Sequence, residues 1–421
     1  MGNHLENSAH RPLRICLLSY RSNPHSGGQG VYIRNLGRAL SNLGHRVAVV
    51  SGPPYPQMGG DIHVHRLPSL NLYNPANPFR MPMMRELLHP LNLLEWLSVS
   101  TMGYPEPFIF GIRAYRFLMQ RRADFDVIHD NQSLSYGVWA IGRRLPTVAT
   151  IHHPITVDRA IAVRNASAGW QKMKQLRWYS FIGMQMQVAR SLPRLITVSD
   201  RAQADISRDF GIPTDSVAVV PNGVSTDQFH PLPGVNREQG RIIVTNSADM
   251  PLKGMPYLFN AVAQISRTRA VRLVVVGTLK RNGDLNNLIR SLGICDRISF
   301  TGRIDPQAFV REYARASVAV IPSLYEGFGL PAAEAMACGV PVVSTTGGAL
   351  PEVVGDAGIL VPPANTRALA DAISRILDHP AAAARMGEAG RRRAEKLFTW
   401  QRAARLTEDV YRGTIRDYCR L

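Results

Sequence analysis

Short runs of apolar, mostly β-branched residues recur along the chain, each separated from the next by a stretch with helical spacing. In the first half they are ICLLS from Ile15, VAVVS from Val47, VIH from Val127, TVATI from Thr147, LITVS from Leu195 and VAVVP from Val217. In the second half they are RIIVTN from Arg241, RLVVVG from Arg272, ISFTG from Ile298, VAVIPS from Val318, PVVST from Pro341 and ILVPP from Ile359. These runs are apolar on both faces, as strands are in a parallel sheet covered by helices on each side. The stretches between them, such as VYIRNLGRALSNLG closing on Gly44, read as helices stopped by glycine. Two α/β series in succession predict two Rossmann-like, doubly wound domains. The segment PNGVSTDQFHPLPG from Pro221 is rich in turn formers and is the expected junction between residues 1–228 and residues 229–398. Residues 399–421 read as a closing helix, apolar at Trp400, Ala403, Leu406, Val410 and Tyr411, which can pack on either domain, including back onto the N-terminal one. Residues 53–111 break the pattern. They are rich in proline, carry the apolar block LLHPLNLLEWLSV from Leu87, and read as an insertion that is either a structural lid or an element facing an acceptor or a membrane.

Composition narrows the class. With 421 residues there is enough chain for two cores, and 19% charged with 45% apolar residues suits a globular protein. No uncharged apolar run reaches the roughly 18 residues of a spanning helix. The start, MGNHLENSAHRPLR, lacks the apolar core of a secretory signal and is expected to be an unstructured lead-in. Cys16, Cys295, Cys338 and Cys419 are scattered and form no CxxC pair, which suits a reduced, cytoplasmic protein without structural zinc.

The formal charge of +18 is unevenly placed: residues 1–200 hold 22 Lys/Arg against 10 Asp/Glu, the remainder 27 against 21. Between Asp158 and Asp200 lie seven basic residues and no acidic one, interleaved with Trp170, Trp178, Tyr179, Phe181, Ile182, Met184 and Met186. Residues 159–199 therefore have the composition of a basic amphipathic surface for an anionic membrane or an acidic acceptor, or of an ordinary solvated face. Nucleic acid is not expected as a partner, since no recognisable binding module accompanies the charge.

The densest candidate chemistry is YEGFGLPAAE, from Tyr325 to Glu334. A turn containing Gly327 and Gly329 runs into a helix whose first residues include Pro331, and AAEAMA continues it until Gly339 and Pro341. Such an entry presents free N–H groups and a positive dipole end, a site for phosphate. Glu334, one turn in, is placed to accept from vicinal ribose hydroxyls, and Glu326 from a sugar beyond the phosphates. The same residues also suit a plain tight turn with Glu334 answering the helix dipole.

Several further motifs, in order, make the chain resemble a retaining, family 4 glycosyltransferase of the GT-B fold. They are SGGQGVYIRNLGRALSNLGHRVAVVS from Ser26, TVATIHHP from Thr147, ITVSD followed by VVPNGVSTDQF, DMPLKG from Asp249, and YEGFGLPAAEAMACGVPVVSTTGGALPEVVGDAGILV from Tyr325. The resemblance implies a nucleoside-diphosphate sugar as donor, bound in a cleft between the domains, and a carbohydrate or lipid-linked acceptor. It implies no metal and no cofactor, and a cytoplasmic location, peripheral at the inner membrane face if the basic surface is used. It implies catalytic roles for His152, Lys253 and Glu326, with Lys253 neutralising the donor pyrophosphate. Gly27 and Gly28 would lie against the donor, where glycine allows close approach and positive φ. The base would lie near Gly277, Arg303 and Ile304, the phosphates against the N–H groups of Phe328, Gly329 and Leu330, and the ribose at Glu334. One departure stands out: six residues before Lys253, where the family has arginine, this chain has Ser247. Arg303 is one candidate to replace that charge. Asp124-Phe125-Asp126 imitates the metal-binding DxD of another glycosyltransferase fold but reads here as a strand edge. The competing functional classes are an epimerase or phosphorylase of the same fold, and a non-catalytic protein that binds a nucleotide sugar or a membrane.

Overall fold

The computed structural model describes residues 11–22, 28–60, 62–74, 77, 80–164, 166, 168–245, 251–279 and 283–420. Two parallel sheets organise them. The first runs β3-β2-β1-β4-β5-β6-β7, with β1 Arg14–Ser19, β2 Arg46–Ser51, β3 His63–Arg66, β4 Val127–Asn131, β5 Thr147–Ile151, β6 Leu195–Thr197 and β7 Val217–Val219. The second runs β10-β9-β8-β11-β12-β13, with β8 Arg241–Thr245, β9 Arg272–Val276, β10 Ile298–Phe300, β11 Val318–Ile321, β12 Val342–Thr345 and β13 Ile359–Val361. Both are doubly wound. Winding reverses between β1 and β4 in the first sheet and between β8 and β11 in the second, and ligands of such sheets bind at the carboxyl ends of the strands at that point.

The twelve apolar runs all become strands, and β4 and β5 are buried at every position, as both-face coverage by helices requires. β3 is a thirteenth strand, inside the segment read as an insertion. HVHR is short, polar and partly exposed, so it has no apolar signature; it adds to the edge of β2 with Val49 opposite Val64. The remainder of that segment supplies the helices Met84–Leu87 and Pro90–Ser100, and Glu106–Met119 follows.

Two compact units result, one of Met1–Val198, Gln203–Val220 and Ala403–Leu421, the other of Ser199–Ala202 and Pro221–Arg402. The closing helix Trp400–Cys419 thus contributes most of its length to the first unit. Its Tyr411 is fully buried, and the hydroxyl meets His129 Nδ1 at 2.5 Å. Glu408 lies 3.4 Å from His45 Nε2, and Asp417 accepts from Arg194 Nε at 3.0 Å. Burying a side chain of that size stabilises by about 1.5–3 kcal/mol, so Tyr411 is a principal anchor of the helix.

Residues 159–199 are three helices, Thr156–Arg164, Gly169–Trp178 and Phe181–Ser191, rather than one amphipathic surface. In the last of these Ile182, Met184, Val188 and Ala189 are core. Arg194 is tied to Asp417, and Arg190 donates to the Phe210 carbonyl at 2.5 Å. The basic apolar face is therefore narrower than composition implies. Asp126, just before β4, accepts from the Arg14 amide at 2.8 Å and meets Arg14 Nη2 at 2.7 Å, which makes the DFD sequence an ion-paired strand edge.

Candidate active site

In the first unit the loops after β4 and β5 build a histidine clamp. His152 stands immediately beyond β5. Its Nε2 lies 2.8 Å from Asn131 Oδ1, while Asn131 Nδ2 faces the Ser19 hydroxyl at 3.5 Å and the Gln29 carbonyl at 3.4 Å. With the Asn131 amide nitrogen turned to two acceptors, its oxygen accepts and His152 Nε2 carries the proton. His152 Nδ1 is then a lone pair. Tyr32 closes edge-on against the imidazole, ring centroids 4.6 Å apart. Burial, with His153 and His129 nearby, pushes the His152 pKa down to about 3, so the ring is neutral at ordinary pH.

Gln132 locks this arrangement from the next position. Its Oε1 accepts from the His152 amide at 2.8 Å and its Nε2 donates to the His153 carbonyl at 3.0 Å. Gln132 and Leu134 both have positive φ, 56° and 44°, a conformation that disfavours residues with a Cβ and is held here by Asp130, whose carboxylate accepts from the Leu134 amide at 2.8 Å. His153 itself turns to Asp158, 2.8 Å away. Behind the clamp, Tyr32 and His129 share the Thr150 hydroxyl, at 3.0 and 2.6 Å, and His129 continues to Tyr411.

Gly28 opens the helix Gly28–Asn42, and a Cβ built there would meet no protein atom within 4 Å. It is not among the glycines with positive φ, because the helix has already begun at that residue; the need for left-handed backbone expected there does not hold. Gly27 and Ser247 lie outside the described residues.

In the second unit the loops after β8 and β11 meet. Lys253, in the turn Pro251–Lys253, places Nζ 2.7 Å from Glu326 Oε1, and the same oxygen accepts from the Ser323 hydroxyl at 2.7 Å. The backbones are locked together as well, since the Leu324 amide donates to the Leu252 carbonyl at 2.7 Å. Glycine is obligatory at two places. Gly254 has φ 64° and a Cβ would lie 2.0 Å from the Pro322 carbonyl oxygen; Gly348 has φ 66° and a Cβ would lie 2.1 Å from the Glu326 carbonyl oxygen. The Ala349 amide donates to that same carbonyl at 2.9 Å. Ser323 and the pair Gly347-Gly348 were not singled out from sequence, although the STTGGALPE segment carried the latter.

Gly329 has φ 102° and caps the helix Leu330–Ala337: its carbonyl accepts from the Ala332 and Ala333 amides at 2.9 and 3.3 Å, and Pro331 has no N–H to satisfy. Phe328 is buried against Phe398, centroids 5.4 Å apart, which holds this turn in place. Glu334 sits beside the buried Tyr313 hydroxyl, and burial raises its pKa to about 8. Gly277, at the end of β9 with φ 135°, bridges Gly302: the Gly302 amide donates to the Gly277 carbonyl at 3.1 Å. That bridge brings Gly277 beside the exposed Arg303 and half-buried Ile304. Within this unit Lys253 and Glu326 are therefore in contact, and Phe328 to Leu330 continue directly from them.

Comparison with known proteins agrees with this architecture. Residues 240–379 match the family described as glycosyl transferases group 1, and residues 27–223 match the glycosyl transferase 4-like domain. The chain is 47% identical over 408 residues to an MMP alpha-(1->4)-mannosyltransferase of Mycolicibacterium hassiacum, covering 96% of this chain and 98% of the relative. It is 29% identical to a D-inositol 3-phosphate glycosyltransferase of Streptomyces bingchenggensis, covering 98% and 91%. Among solved structures it resembles a sucrose-phosphate synthase from Thermosynechococcus elongatus, with TM-score 0.74, 24% identity, and 96% and 99% coverage. It also resembles Anabaena HepE, solved with UDP and glucose, with TM-score 0.68, 18% identity, and 95% and 100% coverage. The fold shared with these glycosyltransferases is GT-B.

Proposed function

The chain belongs to the glycosyl transferases group 1 family and is a glycosyltransferase, and from that premise we propose that it moves a mannosyl unit from a nucleoside-diphosphate mannose to a hydroxyl of an α-mannoside, with retention of configuration. The observation that carries the choice of sugar is the 47% identity, end to end, with a protein named as an α-(1→4)-mannosyltransferase. The choice of a nucleotide-linked donor rests on the second unit's own chemistry: a cation on the loop after β8 beside a helix N-terminus and two carboxylates that follow β11.

In this reading Lys253 and the N–H groups of Phe328, Gly329 and Leu330 take the charge that develops on the departing phosphate, without a metal in the step. Glu326, with Oε1 engaged by Lys253 and Ser323, offers Oε2 to the sugar hydroxyls. Glu334 accepts from the ribose. His152, with Nδ1 unprotonated, accepts from a sugar hydroxyl in the first unit. The acceptor oxygen attacks the anomeric carbon on the face from which the nucleoside diphosphate leaves. The bond from that carbon to the phosphate oxygen breaks, and the freed phosphate oxygen takes the acceptor's proton. The products are the α-glycoside and the nucleoside diphosphate.

The test is a donor panel of guanosine- and uridine-diphosphate mannose, glucose and N-acetylglucosamine, run with a short α-mannoside acceptor before and after treatment with a chelator. A mannosyl product with an α anomeric coupling and unchanged turnover after chelation is expected. Transfer of another sugar in preference to mannose would overturn the donor assignment, and a β product would overturn retention.

A further inference from the structure

Exposed large apolar side chains are concentrated on one part of the first unit. Among the described residues, eleven of the fourteen lie either between Met81 and Met102 or on the helix Gly169–Trp178. Folded chains seldom leave such a concentration in water without a use for it. On Pro90–Ser100 the exposed positions are Leu93, Leu94 and Leu97, spaced to share one helix face. On Gly169–Trp178 they are Trp170, Met173 and Leu176, again at helical spacing, with Trp170 and Met173 63% and 66% exposed. The two helices are joined at their C-terminal ends: Arg177 Nη2 donates to the Thr101 hydroxyl at 3.0 Å, and Trp178 packs edge-on to Tyr73 and tilted against Tyr104, 5.2 and 5.0 Å between centroids.

The charges on these helices are sorted by sign. Lys172, Lys174 and Arg177 are exposed beside the apolar positions of the second helix, which has no acidic residue. The first helix has one acid, Glu95, and it is turned inward and buried: Oε1 accepts from the Ser69 hydroxyl at 2.7 Å, and Oε2 lies 3.6 Å from Arg113 Nη1. Glu86, one turn before that helix, is held by Arg80 at 2.6 Å. Each helix thus exposes apolar side chains with no free carboxylate among them, and the second adds exposed basic residues beside its own.

We propose that this surface, formed by Pro90–Ser100 and Gly169–Trp178, docks the enzyme on a bilayer containing anionic phospholipid. Leu93, Leu94, Leu97, Trp170, Met173 and Leu176 enter the boundary between headgroups and acyl chains, and Lys172 and Lys174 meet the lipid phosphates. A second copy of the chain is the poorer occupant, because a symmetric contact would set the basic residues of the two copies against each other. The proposal does not depend on which sugar is transferred.

The full chain tests it by co-sedimentation with vesicles of phosphatidylcholine alone and of phosphatidylcholine with phosphatidylglycerol, at low and high salt. Binding only to the anionic vesicles, weakened by salt, is expected. Lys172→Gln and Lys174→Gln should each weaken it by about fivefold. The triple change Trp170→Ser, Met173→Ser, Leu176→Ser should abolish it, and Trp170 fluorescence should shift to the blue on binding. Because all these side chains are exposed, the melting temperature should hold, which separates lost docking from lost folding. No binding of the native chain at low salt would overturn the proposal, as would binding that survives the triple change. So would a dimer in sedimentation velocity that the triple change dissociates, since the second copy would then be the occupant.

Discussion

Lys253 Nζ stands 2.7 Å from Glu326 Oε1, joining the loop after β8 to the loop after β11 at the point where the second sheet reverses its winding. Sequence reading assigns the two residues to different parts of a donor, phosphate and sugar. Their contact makes them one unit, in which the cation and the carboxylate hold each other in position.

Lys253→Ala and Glu326→Gln should therefore each lower kcat/KM by about 10²–10³-fold with little change in melting temperature. The double variant should fall well short of the product of the two losses, because residues acting as a unit are not additive. Steady-state kinetics on the four proteins measures this; full additivity would mean that the contact has no part in turnover.

If Glu334 holds the ribose as proposed, donor binding should depend on pH. Its folded pKa is raised from 4.5 to about 8, so the stability linked to it is complete below pH 4.5 and is lost as pH rises through 8. Hydroxyl donors favour the ionised form, so nucleoside-diphosphate affinity should rise between pH 6 and 8 and binding should release protons. Calorimetry in two buffers of different ionisation heat reads that release directly. Glu334→Gln should bind more weakly and lose the pH dependence.

The imidazoles of His129 and His152 behave in the opposite sense. His129 and His152 are both held near pKa 3, below the ordinary 6.5, so the stability they contribute is complete above pH 6.5 and is lost as pH falls toward 3. Between pH 6.5 and pH 4 the denaturant midpoint should fall more steeply in the native chain than in a His152→Asn variant, a difference from which the opposite contribution of Glu334, common to both, drops out. Neither ring should titrate between pH 5 and 8 by NMR, and the pH–rate profile should show no inflection from His152 in that range.

Tyr411→Phe removes the partner of a ring nitrogen that has no access to water. It should destabilise the chain by about 1–3 kcal/mol, the range for a buried polar group left unmet, as measured by urea unfolding. The closing helix should also become more susceptible to proteolysis.

Gly348→Ala places a Cβ 2.1 Å from the Glu326 carbonyl oxygen at a φ of 66°. The displaced backbone carries Glu326 with it, so activity should fall by more than tenfold while the loss of stability stays at about 1–3 kcal/mol. Gly28→Ala is the contrast: a Cβ there meets no protein atom, so the free protein should be unaffected and only ligand affinity should respond.

Much of this was legible without coordinates. The apolar runs predicted twelve strands because both faces of a parallel sheet must be covered, which leaves a continuous apolar signal. β3 escaped because an edge strand of four residues, HVHR, needs no such signal. In the basic segment 159–199 composition cannot separate Ile182 and Met184, which are core, from Trp170 and Met173, which are exposed.

The sequence by itself determined the class of fold, the order of the motifs and the chemical types at the site, because periodicity, glycine placement and residue identity are local properties. Tertiary structure alone decided the partners. Residues 73 apart became the Lys253–Glu326 pair, and residues 282 apart became the His129–Tyr411 pair. Gln132 became the clamp on His152, and Glu95 was turned inward so that an apolar face was left beside the lysines. Distances, burial and the resulting pKa values depend on which loops the sheets bring together, and no spacing along the chain encodes that.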